Sequence, residues 1–322
     1  MKIKSMAHVA ALLAGLLLGL PAWSQAYPAK PVTIIVPYQA GQGTDVAARL
    51  FAEQLTKALG QQFIIDNKPG AGGNIGTAAA ARSAGDGYTL LMGTVATQTM
   101  NEFLYSSVGY DSDKDFAPVI LVGMLPMVIS ANPSFAPSTI PELVTAAKAQ
   151  PDKLNIALPS TTARIVFELL KTRTGAPLFG VPYKGSATAM TEVMGGQVQL
   201  TIDTATASRG HVQSGKLKAL AITTLKSSEL LPGVKSVAEQ GFPGFEVTAW
   251  NAIYAPRGTP KAIVDRLNAE VAKILAQPET RQRLMQLGFE PAGGSPEALA
   301  AYEKQERAKW GPLIKAAGLK GD

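Results

Sequence analysis

The chain has 322 residues, a formal net charge of +6 and no cysteine, which excludes disulfides, thiol nucleophiles and thiolate metal sites. The positive charge is small and dispersed, with no basic run interleaved with aromatic residues, and this argues against a nucleic-acid surface. Two histidines are too few to favour a Ser-His-Asp hydrolase or a histidine metal site.

Residues 1–26 have the pattern of a secretory signal peptide. Two lysines precede an apolar stretch over residues 9–20, and a small-residue site ends at Ala26. The apolar stretch is too short to span a bilayer comfortably, which disfavours a membrane anchor. We therefore expect cleavage after Ala26 and export of the mature chain. The histidine that remains, His211, lies in a short polar helical segment and is expected at the surface.

The first predicted unit is a buried strand over residues 32–36, a loop with two glycines, and a helix. The helix begins at Thr44 or Asp45 and stops at Gly60. Its predicted buried face consists of Phe51, Leu55, Ala58 and Leu59. A strand end, a glycine loop and a helix start direct several free backbone N–H groups at one point. That point attracts anions.

A second glycine loop, over residues 66–76, follows a predicted strand at 63–65 and invites a dinucleotide-binding interpretation. The spacing does not give GxGxxG, because Ile75 stands where the third glycine is due. No acidic residue follows about 20 positions later at the end of another strand. We therefore interpret the loop as one that lets a helix over 75–83 approach the sheet closely.

A third strand, predicted over residues 88–92, leads into a polar turn and a helix over 98–104. Turns that follow neighbouring parallel strands face one edge of a doubly wound sheet, where open α/β sheets bind their ligands. Thr94 and Thr97 in this turn fit a ligand-binding role and also plain helix capping, and the two roles are compatible.

The plan repeats in a second lobe, and a helical tail follows it. Residues 116–130 are apolar over too great a length for one simple strand, and we interpret them as a pair of crossing strands. Further strands are predicted at 155–158, 181–183, 198–202, 217–223 and 250–256. Helices are predicted over 139–149, 163–172, 186–194, 260–276, 279–287 and 296–317.

These elements predict an α/β fold of two lobes, each a doubly wound sheet, joined by two crossing strands. Lobe 1 is predicted to comprise residues 27–125 plus 250–322, and lobe 2 residues 126–249. A cleft between lobes arranged in this way suits hinge closure on a small solute.

Several motifs in this order resemble the Bug family, the TctC-type receptors of tripartite tricarboxylate transporters. They are the Pro37, Gly41, Asp45, Arg49 pattern, the loop at 67–73, residues 86–90, residues 182–185, residues 196–198 and residues 250–256. The resemblance covers essentially the whole chain after the signal peptide. It implies a periplasmic Venus-flytrap receptor, related in fold to type II periplasmic binding proteins, that delivers a carboxylate to TctA- and TctB-like membrane subunits.

The resemblance also implies that two loops hold the ligand carboxylate, partly through ordered waters. These clamp loops are residues 38–45 in lobe 1 and residues 159–164 in lobe 2. The residues we expect to bind the ligand are Tyr38, Gln39, Ala40, Gly41, Gln42, Gly43, Thr44, Asp45, Thr94, Thr97, Gln98, Ser160, Thr161, Thr162, Arg164, Tyr183, Asp203 and Trp250. Asp45 cannot itself hold an anion, so it is expected to accept loop N–H groups, to hold a bridging water or only to cap the helix.

The chain departs from the family pattern at two positions. Arg164 stands where the family has histidine after a glycine- and serine-rich loop, and Pro159 removes an N–H donor from that loop. We expect Arg164 to supply a charge to the cleft, and an exposed helix arginine is the alternative. Gln98 replaces another family histidine, which fits a pocket adapted to a different ligand.

The sequence therefore predicts a periplasmic solute-binding protein for a small mono- or dicarboxylate, aromatic ones included, and not an enzyme. No cofactor, metal or nucleic acid is expected, and the chain should act as a monomer. The alternatives are an exported α/β enzyme that acts on a carboxylate and the accessory receptor of a two-component sensor. Tyr38, Tyr183 and Trp250 fit both a cleft lining and a lobe core.

Overall fold

The structure, a computed structural model, describes residues 27–316 and 318–321, so the predicted signal peptide lies outside the described residues. The strands are β1 (Val32–Val36), β2 (Phe63–Asn67), β3 (Thr89–Thr94), β4 (Phe116–Ala131), β5 (Asn155–Leu158), β6 (Phe179–Pro182), β7 (Leu200–Thr204), β8 (Lys218–Ile222), β9 (Thr248–Pro256) and β10 (Glu290–Pro291). The α-helices are α1 (Gly43–Leu59), α2 (Asn74–Ala81), α3 (Asn101–Leu104), α4 (Ile140–Ala149), α5 (Thr161–Thr174), α6 (Ser186–Met194), α7 (Ala205–Gln213), α8 (Lys261–Ala276), α9 (Pro278–Gln286) and α10 (Pro296–Ala316).

The strands form two sheets of the same design. In the first, the order is β2-β1-β3-β9-β4, with β1 parallel to β2 and β3, and β9 antiparallel to its neighbours. In the second, the order is β6-β5-β7-β4-β8, with β5 parallel to β6 and β7, and β4 antiparallel to β7 and β8. The predicted fold class, two α/β lobes built on doubly wound sheets, is confirmed.

Strand β4 belongs to both sheets. From Phe116 to Pro126 it pairs with β9, and from Met127 to Ala131 it pairs with β7 and β8. The prediction of two crossing strands over 116–130 was therefore wrong, because one continuous strand changes sheet. Its uninterrupted apolar character follows from the cover that both lobes provide along its length.

The chain passes between the lobes a second time just before β9, and Thr223 joins this passage to β4. The Thr223 hydroxyl donates to the Val247 carbonyl at 2.5 Å, and the Thr223 N–H donates to the Met127 carbonyl at 2.9 Å. Thr223 is fully buried. The two connections thus lie side by side, an arrangement that suits hinge closure of two lobes. The lobe boundaries at 125/126 and 249/250 stay a prediction.

Helix α1 begins at Gly43, one residue before the earlier of the two predicted starts, and Gly60 ends it with a left-handed φ of 72°. Its buried face includes Phe51 and Leu55 as predicted, with Ala48 and Ala52 beside them. Ala58 is exposed and Leu59 is only half-buried, so the predicted buried face does not continue into the last turn of the helix.

Helix α10 returns to the first sheet and packs on β9. The Tyr254 hydroxyl donates to Glu303 at 2.5 Å, and the indole N–H of Trp250 donates to Glu306 at 3.3 Å. Burial raises the pKa of Glu303 to about 7, despite the opposing effects of Tyr254 and Arg307. The C-terminal helix therefore completes the core around β9.

Arg307 anchors α10 to the segment that precedes β4. Its side chain is 14% exposed, and it contacts Glu102 at 2.9 Å, donates to the Gln98 carbonyl at 2.8 Å and forms an ion pair with Asp113. This one guanidinium therefore joins three segments of lobe 1.

Replacing Arg307 with methionine should lower the free energy of unfolding by about 2 kcal/mol, since the buried Gln98 carbonyl loses its donor and the more exposed Glu102 and Asp113 lose their ion pairs. Urea denaturation followed by circular dichroism measures the loss. Lys304→Met, on the exposed face of the same helix, is the matched control and should change stability by less than about 0.5 kcal/mol. Equal losses in the two variants would contradict an anchoring role for Arg307.

Candidate functional site

Helix beginnings from both lobes meet at one cavity of about 50 Å³, which we call the inner cavity. Gly43 and Thr44 of α1 lie on the side of lobe 1. On the side of lobe 2 lie the first residues of α5 and α6 and the residue that precedes α7. These helices start here because β1, β5 and β7 end at this edge of their sheets, where α/β proteins bind ligands.

The inner cavity is polar and contains one charged residue, Asp203, among the described residues that line it. The lining consists of Tyr38, Gln42, Gly43, Thr44, Thr94, Val95, Leu125, Ser160, Thr161, Thr162, Ser186, Asp203, Thr204, Ala249, Trp250 and Asn251. No lysine, arginine or histidine is in this set. Attraction for an anion in this cavity must therefore come from helix dipoles and backbone N–H groups.

The four helices that begin at the inner cavity, α1, α5, α6 and α7, differ in how their N-termini are capped. Ser160 accepts the Ala163 N–H of α5 at 3.1 Å, and Thr204 accepts the Ala207 N–H of α7 at 3.3 Å. Neither α1, after Gln42, nor α6, after Gly185, receives a side-chain cap. First-turn N–H groups of two helices from opposite lobes are therefore left for a ligand.

Asp45 holds the loop that leads into α1. Its carboxylate is 1% exposed and accepts the Gly41 N–H at 2.8 Å, Arg49 Nε at 2.9 Å and Asn67 Nδ2 at 2.9 Å. Burial opposes ionisation, but the hydrogen bonds from Arg49, Gly41 and Asn67 outweigh it and lower the pKa of Asp45. Asp45 does not line the inner cavity, so the geometry matches the predicted role of accepting loop N–H groups.

A hydroxyl network forms the wall of lobe 1. The Tyr38 and Thr94 hydroxyls lie 3.0 Å apart, and the Thr94 N–H donates to Thr97 Oγ1 at 3.1 Å. Burial raises the pKa of Tyr38 to about 12, although the Thr94 hydrogen bond opposes the shift. Tyr38 is therefore a neutral hydroxyl at physiological pH and can donate to an anion.

Two acceptor oxygens in the inner cavity have no hydrogen-bond partner within the part of the chain that the structure describes. They are Asp203 Oδ2, from lobe 2, and Asn251 Oδ1, from lobe 1. Asn251 Nδ2 donates to Thr44 Oγ1 at 3.1 Å, which fixes the amide orientation. Such oxygens require a donor, because a buried acceptor left unpaired is costly.

A larger chamber of about 440 Å³, the outer chamber, adjoins the inner cavity and shares Tyr38, Gln42, Ser160 and Thr161 with it. The rest of its lining consists of Pro37, Gln39, residues 69–73, Tyr105, Leu158, Pro159, Arg164, Pro182, Tyr183 and Lys184. Aromatic rings and prolines offer it apolar surface, and two basic residues lie at its border.

The structure divides the residues that the sequence predicted as ligand-binding among three places. The inner cavity is lined by Tyr38, Gln42, Gly43, Thr44, Thr94, Ser160, Thr161, Thr162, Asp203 and Trp250. The outer chamber alone is lined by Gln39, Arg164 and Tyr183. Neither space is lined by Ala40, Gly41, Asp45, Thr97 or Gln98. Thr97 and Gln98 lie in a π-helical turn over Ala96–Met100 and line another pocket, near Tyr110 and Asp113, while the Thr97 hydroxyl also contacts Thr94.

Arg164 lies on α5, which begins at Thr161, two residues before its predicted start. Its guanidinium donates to the Gly321 carbonyl at 3.3 Å and to the Lys320 carbonyl. The Gly321 N–H in turn donates to the Leu104 carbonyl of lobe 1 at 2.7 Å. Arg164 therefore connects lobe 2 to the C-terminal tail on lobe 1. It lines the outer chamber and a separate pocket beside α5 and the tail, but not the inner cavity.

Sequence reasoning did not identify three polar residues of the inner cavity: Ser186, Thr204 and Asn251. A signal existed for Ser186, since Gly185 and Ser186 begin a helix after a short strand, as the clamp loops do. Asn251 follows Trp250 in the last strand, where alternation of side chains does not indicate which face meets the cleft.

The glycine loop at 70–73 borders the outer chamber in addition to allowing close packing of α2. A Cβ at Gly76 would lie 2.6 Å from the Lys68 carbonyl and 2.8 Å from Pro37 Cα, so glycine is required for the predicted approach of helix to sheet.

Within residues 27–316 and 318–321, no cluster of acidic or histidine side chains could hold a metal ion, and no helix could span a membrane.

Comparison with known proteins places this geometry among solute receptors. Residues 47–319 match the model of the family described as "Tripartite tricarboxylate transporter family receptor". The chain is 35% identical to protein BugT of Bordetella pertussis, over 93% of each chain. It is similar to R. palustris Rpa4515 with adipate, at 37% identity and a TM-score of 0.88 over 91% of this chain and 99% of that one. MatC of Rhodopseudomonas palustris with bound malate is 33% identical, with a TM-score of 0.83 over 89% and 100% of the two chains.

Asp45→Asn should lower the free energy of unfolding by about 2 kcal/mol at pH 7, because a buried charge-assisted network loses its acceptor. The pKa of Asp45 is lowered in the folded state, so its contribution is present above the unfolded pKa and is lost as pH falls. The difference between wild type and variant should therefore shrink toward about pH 3.

Chemical denaturation at both pH values measures this difference. Glu53→Gln, an exposed partner of Lys57 on the same helix, is the control and should leave stability nearly unchanged. A loss at Asp45 that stays constant into acid would show that packing, not the carboxylate charge, holds the loop.

Proposed function

This chain belongs to the receptor family of tripartite tricarboxylate transporters, and on that basis we propose that it captures a small organic carboxylate between its lobes and delivers it to TctA- and TctB-like membrane subunits. The family and its structural relatives are solute-binding proteins, so the chain is not an enzyme, as predicted. Export through a cleaved leader over residues 1–26 is part of the proposal, and the receptor acts in the periplasm as a monomer.

The observation that carries the proposal is the meeting of helix N-termini from both lobes at a cavity whose described lining has no basic side chain. A helix N-terminus favours an anion by roughly 0.3–1 kcal/mol when exposed, and by more when water is excluded. The uncapped α1 and α6 supply N–H groups from opposite sides. A carboxylate with two oxygens can accept from both lobes at once.

The inner cavity and the outer chamber hold different parts of the ligand. The inner cavity, at about 50 Å³, has room for a carboxylate group, and the outer chamber takes the remainder. The aromatic and proline lining of the outer chamber suits an aliphatic chain or a ring. Arg164 and Lys184 at its border suit a second carboxylate. Adipate and malate, bound by the relatives Rpa4515 and MatC, are dicarboxylates of this general kind.

Contacts between the lobes support capture by closure. Gly72 has a φ of +61°, and a Cβ there would lie 2.4 Å from the Tyr105 hydroxyl and 2.9 Å from Thr161 Oγ1 of the other lobe. Glycine therefore lets the two lobes touch beside the ligand spaces. A ligand that contacts both lobes binds the closed arrangement more tightly and shifts the population toward it.

A role as the accessory receptor of a two-component sensor is the second candidate, because the same binding and closure would serve it. The match to a transporter receptor family favours delivery to membrane subunits.

Carboxylate binding should appear as thermal stabilisation. A ligand at about 100 times its dissociation constant raises the free energy of unfolding by about 2.7 kcal/mol. We expect a higher melting temperature with members of a panel of adipate, malate and benzoate. Neutral amides of the same acids are the control and should have no effect. Stabilisation by none of the acids would count against the proposal, and mass-spectrometric turnover of a ligand would favour an enzyme.

Arg164→Ala tests the charge at the outer chamber. If Arg164 faces the second carboxylate, the affinity for adipate measured by calorimetry should fall about tenfold, while that for benzoate changes little. Arg281→Ala, an exposed arginine on α9, is the control. An unchanged adipate affinity would remove Arg164 from the site.

A further inference from the structure

Asp203 is in an unusual position for a carboxylate, because it lines a cavity that otherwise favours anions. Asp203 is 2% exposed, is the penultimate residue of β7, and lines the inner cavity together with the first residues of α1. An ionised Asp203 would repel a ligand carboxylate placed in the same small space. Either the ligand group there is cationic or a proton lies between the two carboxyl groups.

The hydrogen bonds of Asp203 leave one oxygen available. Oδ1 accepts the Thr204 N–H at 2.7 Å. Oδ2 has no hydrogen-bond partner among residues 27–316 and 318–321, although it is fully buried. That oxygen can carry a proton and donate it to a group in the inner cavity without giving up an existing bond.

No basic group faces Asp203 from the described elements around it. Val128 is its register partner on β4, Ser186 begins α6, and the titratable group on the side of lobe 1 is the Tyr38 hydroxyl. Arg164 and Lys184 line the outer chamber and not the inner cavity. Burial raises the pKa of Asp203 to about 6, against the smaller lowering effect of the nearby Ser186 side chain and of Thr204.

The helix N-termini favour a protonated Asp203 over a cationic ligand group beside an ionised Asp203. A ligand ammonium beside Asp203 would stand at the positive ends of α1, α5, α6 and α7, which disfavour a cation. A neutral Asp203 has no such conflict, and its hydroxyl adds a donor to the N–H groups that hold the anion. A carboxylic acid kept neutral in an apolar or buried site can donate in this way.

We propose that Asp203 is protonated in the complex and donates its hydroxyl hydrogen to the ligand carboxylate in the inner cavity. Each ligand molecule is then bound together with one proton. The inference rests on the proposed function, since it assumes that the inner cavity holds a carboxylate. When Asp203 is ionised before binding, one proton is taken up from solvent, and the charge added to the cavity by the ligand is neutralised.

Binding should therefore weaken as pH rises. Above about pH 6.5, where the ligand is fully ionised, the dissociation constant should increase about tenfold per pH unit, because Asp203 must be protonated first. Titration calorimetry of the wild-type protein with adipate, in buffers of different ionisation enthalpy at about pH 8, should show uptake of close to one proton per ligand. Benzoate replaces adipate if adipate does not bind.

Asp203→Asn distinguishes the effect of proton uptake from that of the hydrogen bond. The asparagine amide can still donate a hydrogen bond, but it does not titrate. We expect this variant to bind adipate with little pH dependence and no proton uptake, and to bind it more tightly than wild type at about pH 8. Glu53→Gln, a surface carboxylate on α1, is the control and should keep the wild-type pH profile.

Three results would overturn the inference. Wild-type binding with no proton uptake and a flat pH profile is one, and a variant that retains the wild-type pH profile is another. A third is a large loss of affinity in Asp203→Asn at every pH, which would indicate an ionised Asp203 that pairs with a cation. If the variant does not fold, proton uptake by the wild type decides alone. A wild type that binds no carboxylate at all would contradict the proposed function itself.

Discussion

If the inner cavity holds an anion, as we propose, it must do so without a cationic side chain from its described lining, and the rest of the structure depends on this constraint. The charge must be stabilised by backbone N–H groups and helix dipoles, and each of these contributes little unless several converge. Convergence requires strands that end at one edge, helices that begin there, and a second lobe that repeats the arrangement opposite. The two sheets satisfy this requirement because their strand orders correspond. The order β2-β1-β3-β9-β4 of the first sheet matches β6-β5-β7-β4-β8 of the second, position by position.

The two connections between the lobes lie in one narrow region. Strand β4 is shared by both sheets, and Thr223 joins it to the passage before β9. In the proposed function, the lobes close by rotating about this region, which places α1 and α6 on opposite sides of the ligand. Glycine at position 72 lets the lobes touch beside the cavity. Ligand binding and lobe contact are thus parts of one equilibrium.

Two buried aspartates show how environment sets the role of a carboxylate. Asp45 receives three hydrogen bonds, one of them from Arg49, and stays ionised as a fixed part of the loop. Asp203 receives one backbone hydrogen bond, faces no basic side chain among the described residues, and retains an unpaired oxygen in the cavity. The same chemical group therefore serves as a structural acceptor in one lobe and, by our inference, as a proton donor in the other.

The sequence by itself determined the α/β class, most strand and helix positions and the loops beside the cavity, because these follow from local hydrophobic period, capping residues and glycines. Only the tertiary structure decided that residues 116–130 form one strand, that Gln98 turns away from the cavity, and that Ser186 and Asn251 line it. Strand partners and side-chain direction at the end of a strand depend on contacts between residues far apart in the chain. A local pattern does not contain that information.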